Sequence, residues 1–110
     1  MMKKADHQTD RRGIGEFQQI VNVGPAMEED FRRLGLTAPD DLIGQDPAEL
    51  YQRICSLDGV FHDPCVLDCY WAAVDYMNGQ PPRVWWDYTS KRKRTYGELV
   101  DQLRGRYPRP

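Results

Sequence analysis

The sequence predicts an all-α domain, and three observations carry the prediction. Apolar residues recur at helical spacing through most of the chain, as at Met27, Phe31 and Leu34, or at Leu50, Tyr51 and Ile54. An Asp followed by Pro opens an amphipathic run twice, at Asp46 with Pro47 and at Asp63 with Pro64. The pair suits a helix start because the aspartate accepts from unpaired N–H groups there and proline lacks the N–H that would be left over. No stretch alternates apolar and polar residues as a half-buried strand does. With 110 residues, 40% of them hydrophobic, the chain is long enough to bury one core and too short for two.

Taken in order, residues 1–12 are polar and read as a disordered tail. A domain is expected over 13–88, and a basic connection with a C-terminal helix over 89–110. Ile14, Phe17, Ile20 and Val21 make a first helical stripe, which ends at the corner Asn22, Val23, Gly24, Pro25. Beyond the corner Met27, Phe31 and Leu34 repeat the period, and Gly35 stands where a left-handed residue closes a helix. Thr37 is placed to cap a further turn through Leu42, ending at Gly44. In the helix opened by Asp46, the expected buried stripe is Leu50, Tyr51, Ile54 and Leu57, with Glu49 and Arg53 paired on the wet side.

The helix opened by Asp63 is apolar around most of its circumference, through Val66, Leu67, Tyr70, Trp71, Ala73, Val74 and Met77. That makes it the expected centre of the core, with Asp68, Ala72 and Asp75 as its exposed edge. Trp85 and Trp86 follow a proline-led connection and are expected to pack back as apolar lids. Thr95 and Glu98 form a capping box for a last helix reaching about Arg106, its face made by Tyr96, Leu99 and Leu103.

The net charge of -2 hides an uneven distribution. Residues 38–87 hold nine acids and two bases, and residues 88–110 seven bases and two acids. The densest positive charge is Lys91, Arg92, Lys93 and Arg94. Four bases just ahead of a Thr95 cap would meet the positive end of the following helix, so they are expected as an exposed connection free to reach an anion such as nucleic acid. No apolar run approaches the roughly 18 residues of a membrane span, and no apolar stretch follows the N-terminal lysines, so a cytoplasmic protein without membrane contact is expected.

The corner itself invites a comparison. An apolar residue, a tight turn, an apolar residue, Gly and a helix is the pattern of a helix-hairpin-helix, and "IVNVGPAMEEDFRRLGL" resembles it. Extended through "DLIGQDPAELYQRIC", "HDPCVLD" and "WWDYTSKRKR", residues 14–94 resemble the bacterial "pathogenicity locus" helix-hairpin-helix family, whose members have often been labelled mitomycin-resistance proteins. The resemblance implies a SAM-like bundle of about five to six short helices and sequence-independent contact with DNA or another nucleic acid. The groups that would make it are the backbone N–H donors of Val23, Gly24, Ala26 and Met27, which have no partner inside a helix and lie at the positive end of its dipole. Pro25 has no N–H to offer. Asn22 stands where the pattern has a glycine, Ala26 where it often has a base, and Glu28, Glu29 and Asp30 crowd the first turn.

Cys55, His62, Cys65 and Cys69 are the cluster with metal-ligand chemistry, and a thiolate and imidazole set would suit zinc. Their spacing is not that of zinc sites, and buried cysteines act as small hydrophobes, so no metal is expected. Three cysteines make no disulfide framework. No serine, base and orienter can be assembled, and no phosphate-cradling glycine loop is present, so neither an enzyme nor a cofactor is expected. Two functions follow: a small nucleic-acid-binding module using the corner and the basic run, or a protein-interaction module of the same fold.

Overall fold

In the computed structural model, which describes residues 9–110, four α-helices carry the fold: α1 (Pro25–Arg33), α2 (Pro47–Asp58), α3 (Cys65–Met77) and α4 (Thr89–Arg106). Of three 3-10 helices, Phe17–Gln19 precedes α1, Pro39–Leu42 lies between α1 and α2 and Trp85–Tyr88 leads into α4, and there is no strand among the described residues. His7 and the rest of residues 1–8 of the expected tail lie outside the described residues. Residues 9–12 are placed against the C-terminal end of α3. Thr9 N–H donates to Gly79 O at 2.9 Å, and Arg11 Nη1 donates to Tyr76 O at 2.6 Å and Gln80 O at 2.9 Å, with its guanidinium 3.8 Å from the Tyr76 ring centre. A cation is favoured there because the last carbonyls of a helix lack partners and carry its negative pole.

The helix ends are the ones the sequence chemistry calls for. Asp46 accepts from Ala48 N–H at 2.9 Å to start α2, and Asp63 accepts from Cys65 N–H at 2.9 Å to start α3. Gly35, at φ 92°, closes α1 with Leu36 N–H reaching back to Phe31 O, and Gly59, at φ 66°, closes α2. Arg53, expected beside Glu49, instead donates to Leu34 O at 2.7 Å, because an unpaired carbonyl at the end of α1 is a stronger acceptor site than a solvated carboxylate. Leu57, expected in the buried stripe, sits on the last turn of α2 and is 56% exposed.

The first helical stripe folds differently from its expectation. Residues 14–21 hold only the 3-10 turn Phe17–Gln19, since Gly13 and Gly15 disfavour helix; the turn starts at Glu16, whose N–H donates to the Gln19 side chain at 2.9 Å. Phe17 and Ile20 are nevertheless buried. Phe31 of α1 packs between Phe17 (5.5 Å between ring centres) and Tyr70 of α3 (5.3 Å), so one aromatic row ties this turn to the core.

α3 is central, touching α2, α4 and two of the 3-10 helices. Leu67, Tyr70 and Ala73 are fully enclosed, and burial of each large side chain contributes about 1.5–3 kcal/mol. The edge expected to be exposed is not: Ala72 is buried and Asp68 is wholly enclosed. The cause is α4, which starts at Thr89 rather than Thr95 and lays its first turns across that edge. Arg92 Nε donates to Asp68 Oδ1 at 2.9 Å, and Thr89 Oγ1 donates to Asp68 Oδ2 at 2.8 Å. The run expected as an exposed connection is therefore helical. Helix here lets Arg92 partner the Asp68 carboxylate, which would otherwise be buried as an uncompensated charge. The expected helix start survives as a kink: Tyr96 has φ -123° and ψ 17°, outside helical values, just before Gly97.

Candidate nucleic-acid interface

The turn at the corner is set by Asn22, which takes φ 69°, the left-handed conformation that Asn reaches more readily than other non-glycine residues. Its side-chain amide donates to Arg83 O at 2.7 Å, pinning the corner to the connection between α3 and α4. No sequence signal points to that bond, because it joins residues 61 apart. Val23, expected as a donor, is buried, and its N–H is taken by Ile20 O at 3.1 Å. It has no proton for a ligand.

Gly24 is the extended N-cap of α1, and the first intrahelical bond runs from Glu28 N–H to Gly24 O at 3.0 Å. The N–H groups of Gly24, Ala26 and Met27 meet no backbone or side-chain acceptor among the described residues. Pro25 and Ala26 beside them are exposed. Three of the four expected donors are thus left at the positive end of a helix dipole.

The acids crowding this turn are mostly engaged elsewhere. Glu28 accepts from the Gln18 amide at 2.8 Å and from Arg32 at 2.9 Å, and these two hold its carboxyl below the usual range, Gln18 foremost. Asp30 accepts from the Tyr70 hydroxyl at 3.0 Å and from Arg33 at 3.4 Å. Arg33 is also paired with Asp58. Glu29 remains as the exposed acid of the three.

In the basic run, Arg92 is committed to Asp68, and Lys91 holds its ammonium 4.5 Å from the centre of the Trp71 ring, which itself packs on Tyr88 and Tyr96. Lys93 and Arg94 are exposed. Arg83, absent from the sequence-based set, joins the two parts of the surface. Its carbonyl meets the corner, and it lines a cleft of about 300 Å³ together with Asp75, Gln80, Asp87, Tyr88 and Lys91. Asp75 in that cleft accepts from the Tyr88 hydroxyl at 2.9 Å. The lids expected of the tryptophans are not both formed. Tyr88 takes the buried place in its 3-10 helix, Trp85 is half-buried, and Trp86 is 60% exposed.

The candidate metal ligands sit in the α2–α3 corner. Cys55 is buried, and His62 Nε2 is 2.6 Å from Asp58 Oδ2. Among the described residues no three His, Cys, Asp or Glu side chains gather as a metal site would require. Burial, first among the causes, pushes the Cys65 thiol up to about 11 and that of Cys69 to about 12, which keeps both protonated at neutral pH.

The mitomycin resistance protein McrB of Streptomyces lavendulae is 45% identical over 91 residues, which is 82% of this chain and 87% of that protein. No solved structure matches the chain. Residues 10–94, from the Arg11 anchor region to the last base of the basic run, match the family described as "Pathogenicity locus". The chain belongs to the pathogenicity-locus family.

Proposed function

We propose that this protein is a non-enzymatic, cytoplasmic module that binds nucleic-acid backbone without reading bases. The corner is the hairpin of a helix-hairpin-helix whose first helix is shortened to the turn Phe17–Gln19. The observation that carries the reading is the set of unclaimed N–H groups of Gly24, Ala26 and Met27, with Glu28 and Asp30 turned to internal partners. Such donors position a phosphate, and nearby cations supply the affinity by releasing counterions. Arg83, Lys93 and Arg94 are exposed cations that would supply it.

The test is a titration of labelled duplex and single-stranded DNA at low and moderate salt. Ala26→Lys and Glu29→Lys should each tighten binding and steepen the salt slope by roughly 0.9. Absence of binding to either DNA at low salt sinks the reading. A second reading, docking of a protein partner, is favoured by the exposure of Val84 (36%) and Trp86 (60%), and it would then stand in its place.

A further inference from the structure

We infer that Trp86 is a base-stacking platform, which makes single-stranded nucleic acid, rather than duplex, the ligand of this surface; the inference rests on the nucleic-acid reading above. An indole 60% exposed on a chain of this size is a large apolar group left in water. Its neighbour Trp85 meets it at 87° with ring centres 5.5 Å apart, an edge contact that steadies the ring and leaves a face open. The segment that carries the ring is anchored at its C-terminal end. Two residues on, Tyr88 is buried, packs on Trp71 at 5.6 Å and donates its hydroxyl to Asp75. Pro81 and Pro82 restrict the approach from the other side. A ligand stacking on Trp86 therefore meets a surface with little freedom left to lose.

Phosphate partners stand before and after Trp86 along the chain. Arg83 precedes the tryptophans by two residues, and its carbonyl is held by Asn22 next to the donors at Gly24, Ala26 and Met27. Lys91, one helical turn beyond Tyr88, shares the cleft with Arg83. Asp75, which holds the Tyr88 hydroxyl, and Asp87 also line that cleft and offset its two cations, so the backbone donors carry much of the attraction for phosphate. An exposed aromatic ring flanked by backbone donors and cations is the arrangement by which the bases of single strands are held. Bases in a duplex are already stacked on one another and offer no face to Trp86.

The experiment compares wild type, Trp86→Ala and Trp86→Phe, each checked for unchanged helix content, on an oligothymidylate of about 16 nucleotides and on a duplex of the same length. Wild type should bind the single strand more tightly, with quenching of tryptophan fluorescence. Trp86→Ala should lose about tenfold in affinity for the single strand and little for the duplex, while Trp86→Phe keeps most of it. Equal losses on both ligands, or no loss on the single strand, would overturn the inference, as would wild type that binds duplex alone. That last result leaves the nucleic-acid reading standing; wild type that binds neither ligand removes both.

Discussion

At the corner before α1 the charged side chains turn to one another and the backbone donors are left outward; at the start of α4 the backbone is closed into a helix and one charged side chain, that of Arg92, turns inward. Glu28 is held by Gln18 and Arg32 while Gly24, Ala26 and Met27 keep unclaimed N–H groups. Arg92 is buried on Asp68, while Lys91, resting on Trp71, stays exposed with Lys93 and Arg94, so one base of the four-base run is spent on the fold. The difference teaches that net charge along the chain is a poor map of binding capacity. It overstates what the basic run offers and does not register the backbone at all.

The comparison breaks most visibly at Arg92. Arg92→Ala leaves Asp68 as an unpaired buried carboxylate and should cost about 3–5 kcal/mol in urea unfolding. Replacing both, Asp68→Leu with Arg92→Met, should recover most of that loss, because the pair itself offsets little more than its own desolvation. A loss well under about 1 kcal/mol in the single variant would return Arg92 to the ligand-binding set.

A smaller effect is expected at the corner. Asn22→Ala must hold a left-handed backbone without its side-chain bond to Arg83, and should cost about 1–2 kcal/mol for the conformation alone. Asn22→Gly keeps the conformation and loses only the bond, about 0.5–1.5 kcal/mol. Equal costs in thermal unfolding would mean that the bond, not the turn, holds the corner.

Lys93→Ser with Arg94→Ser sharpens the contrast within the basic run. Stability should stay within about 0.5 kcal/mol of wild type, since neither side chain is buried. If these residues face phosphates, the salt slope for DNA should flatten by roughly 0.9 for each phosphate that no longer meets a cation.

The smallest effect at neutral pH is expected at the thiols of α3. With Cys65 raised to about 11 and Cys69 to about 12, the folded chain holds protons that the unfolded chain releases. Their contribution to stability is therefore complete below the ordinary thiol pKa of about 8.5 and is lost as pH rises through the folded values. Zinc or chelator at pH 7 should leave the melting temperature unchanged, and a thiol-specific disulfide reagent should react more slowly with native than with urea-unfolded protein. Bound zinc at one per chain would overturn this.

The local signals in the sequence are legible where a residue acts on its own neighbours. Asp46, Asp63 and Asn22 each do what their side chains favour, Gly35 what its lack of one allows, within a few residues, and α3, the helix expected at the centre, lies at the middle of the core. What is not legible depends on residues far apart. An exposed connection over residues 91–94 would leave Asp68 and Ala72 uncovered, so one misplaced helix start accounts for two errors in α3. At the candidate site, the donor lost at Val23 and the link from Asn22 to Arg83 are both set by packing, which periodicity does not encode.

The kink at Tyr96 divides α4 into halves that answer to different neighbours. Before it, Arg92 and Thr89 are fastened to the Asp68 carboxylate; after it, Val100 and Leu103 are held only by apolar burial in the core. The match to the family ends at residue 94, two residues short of the bend. Such a division makes the helix two units in amide exchange rather than one. The distal half would open whenever Leu103 leaves its pocket, at a rate blind to pH in the neutral range, while the proximal half waits on the release of an ion pair. α4 would thus show two protection levels, with the step at the residue where its helical geometry fails.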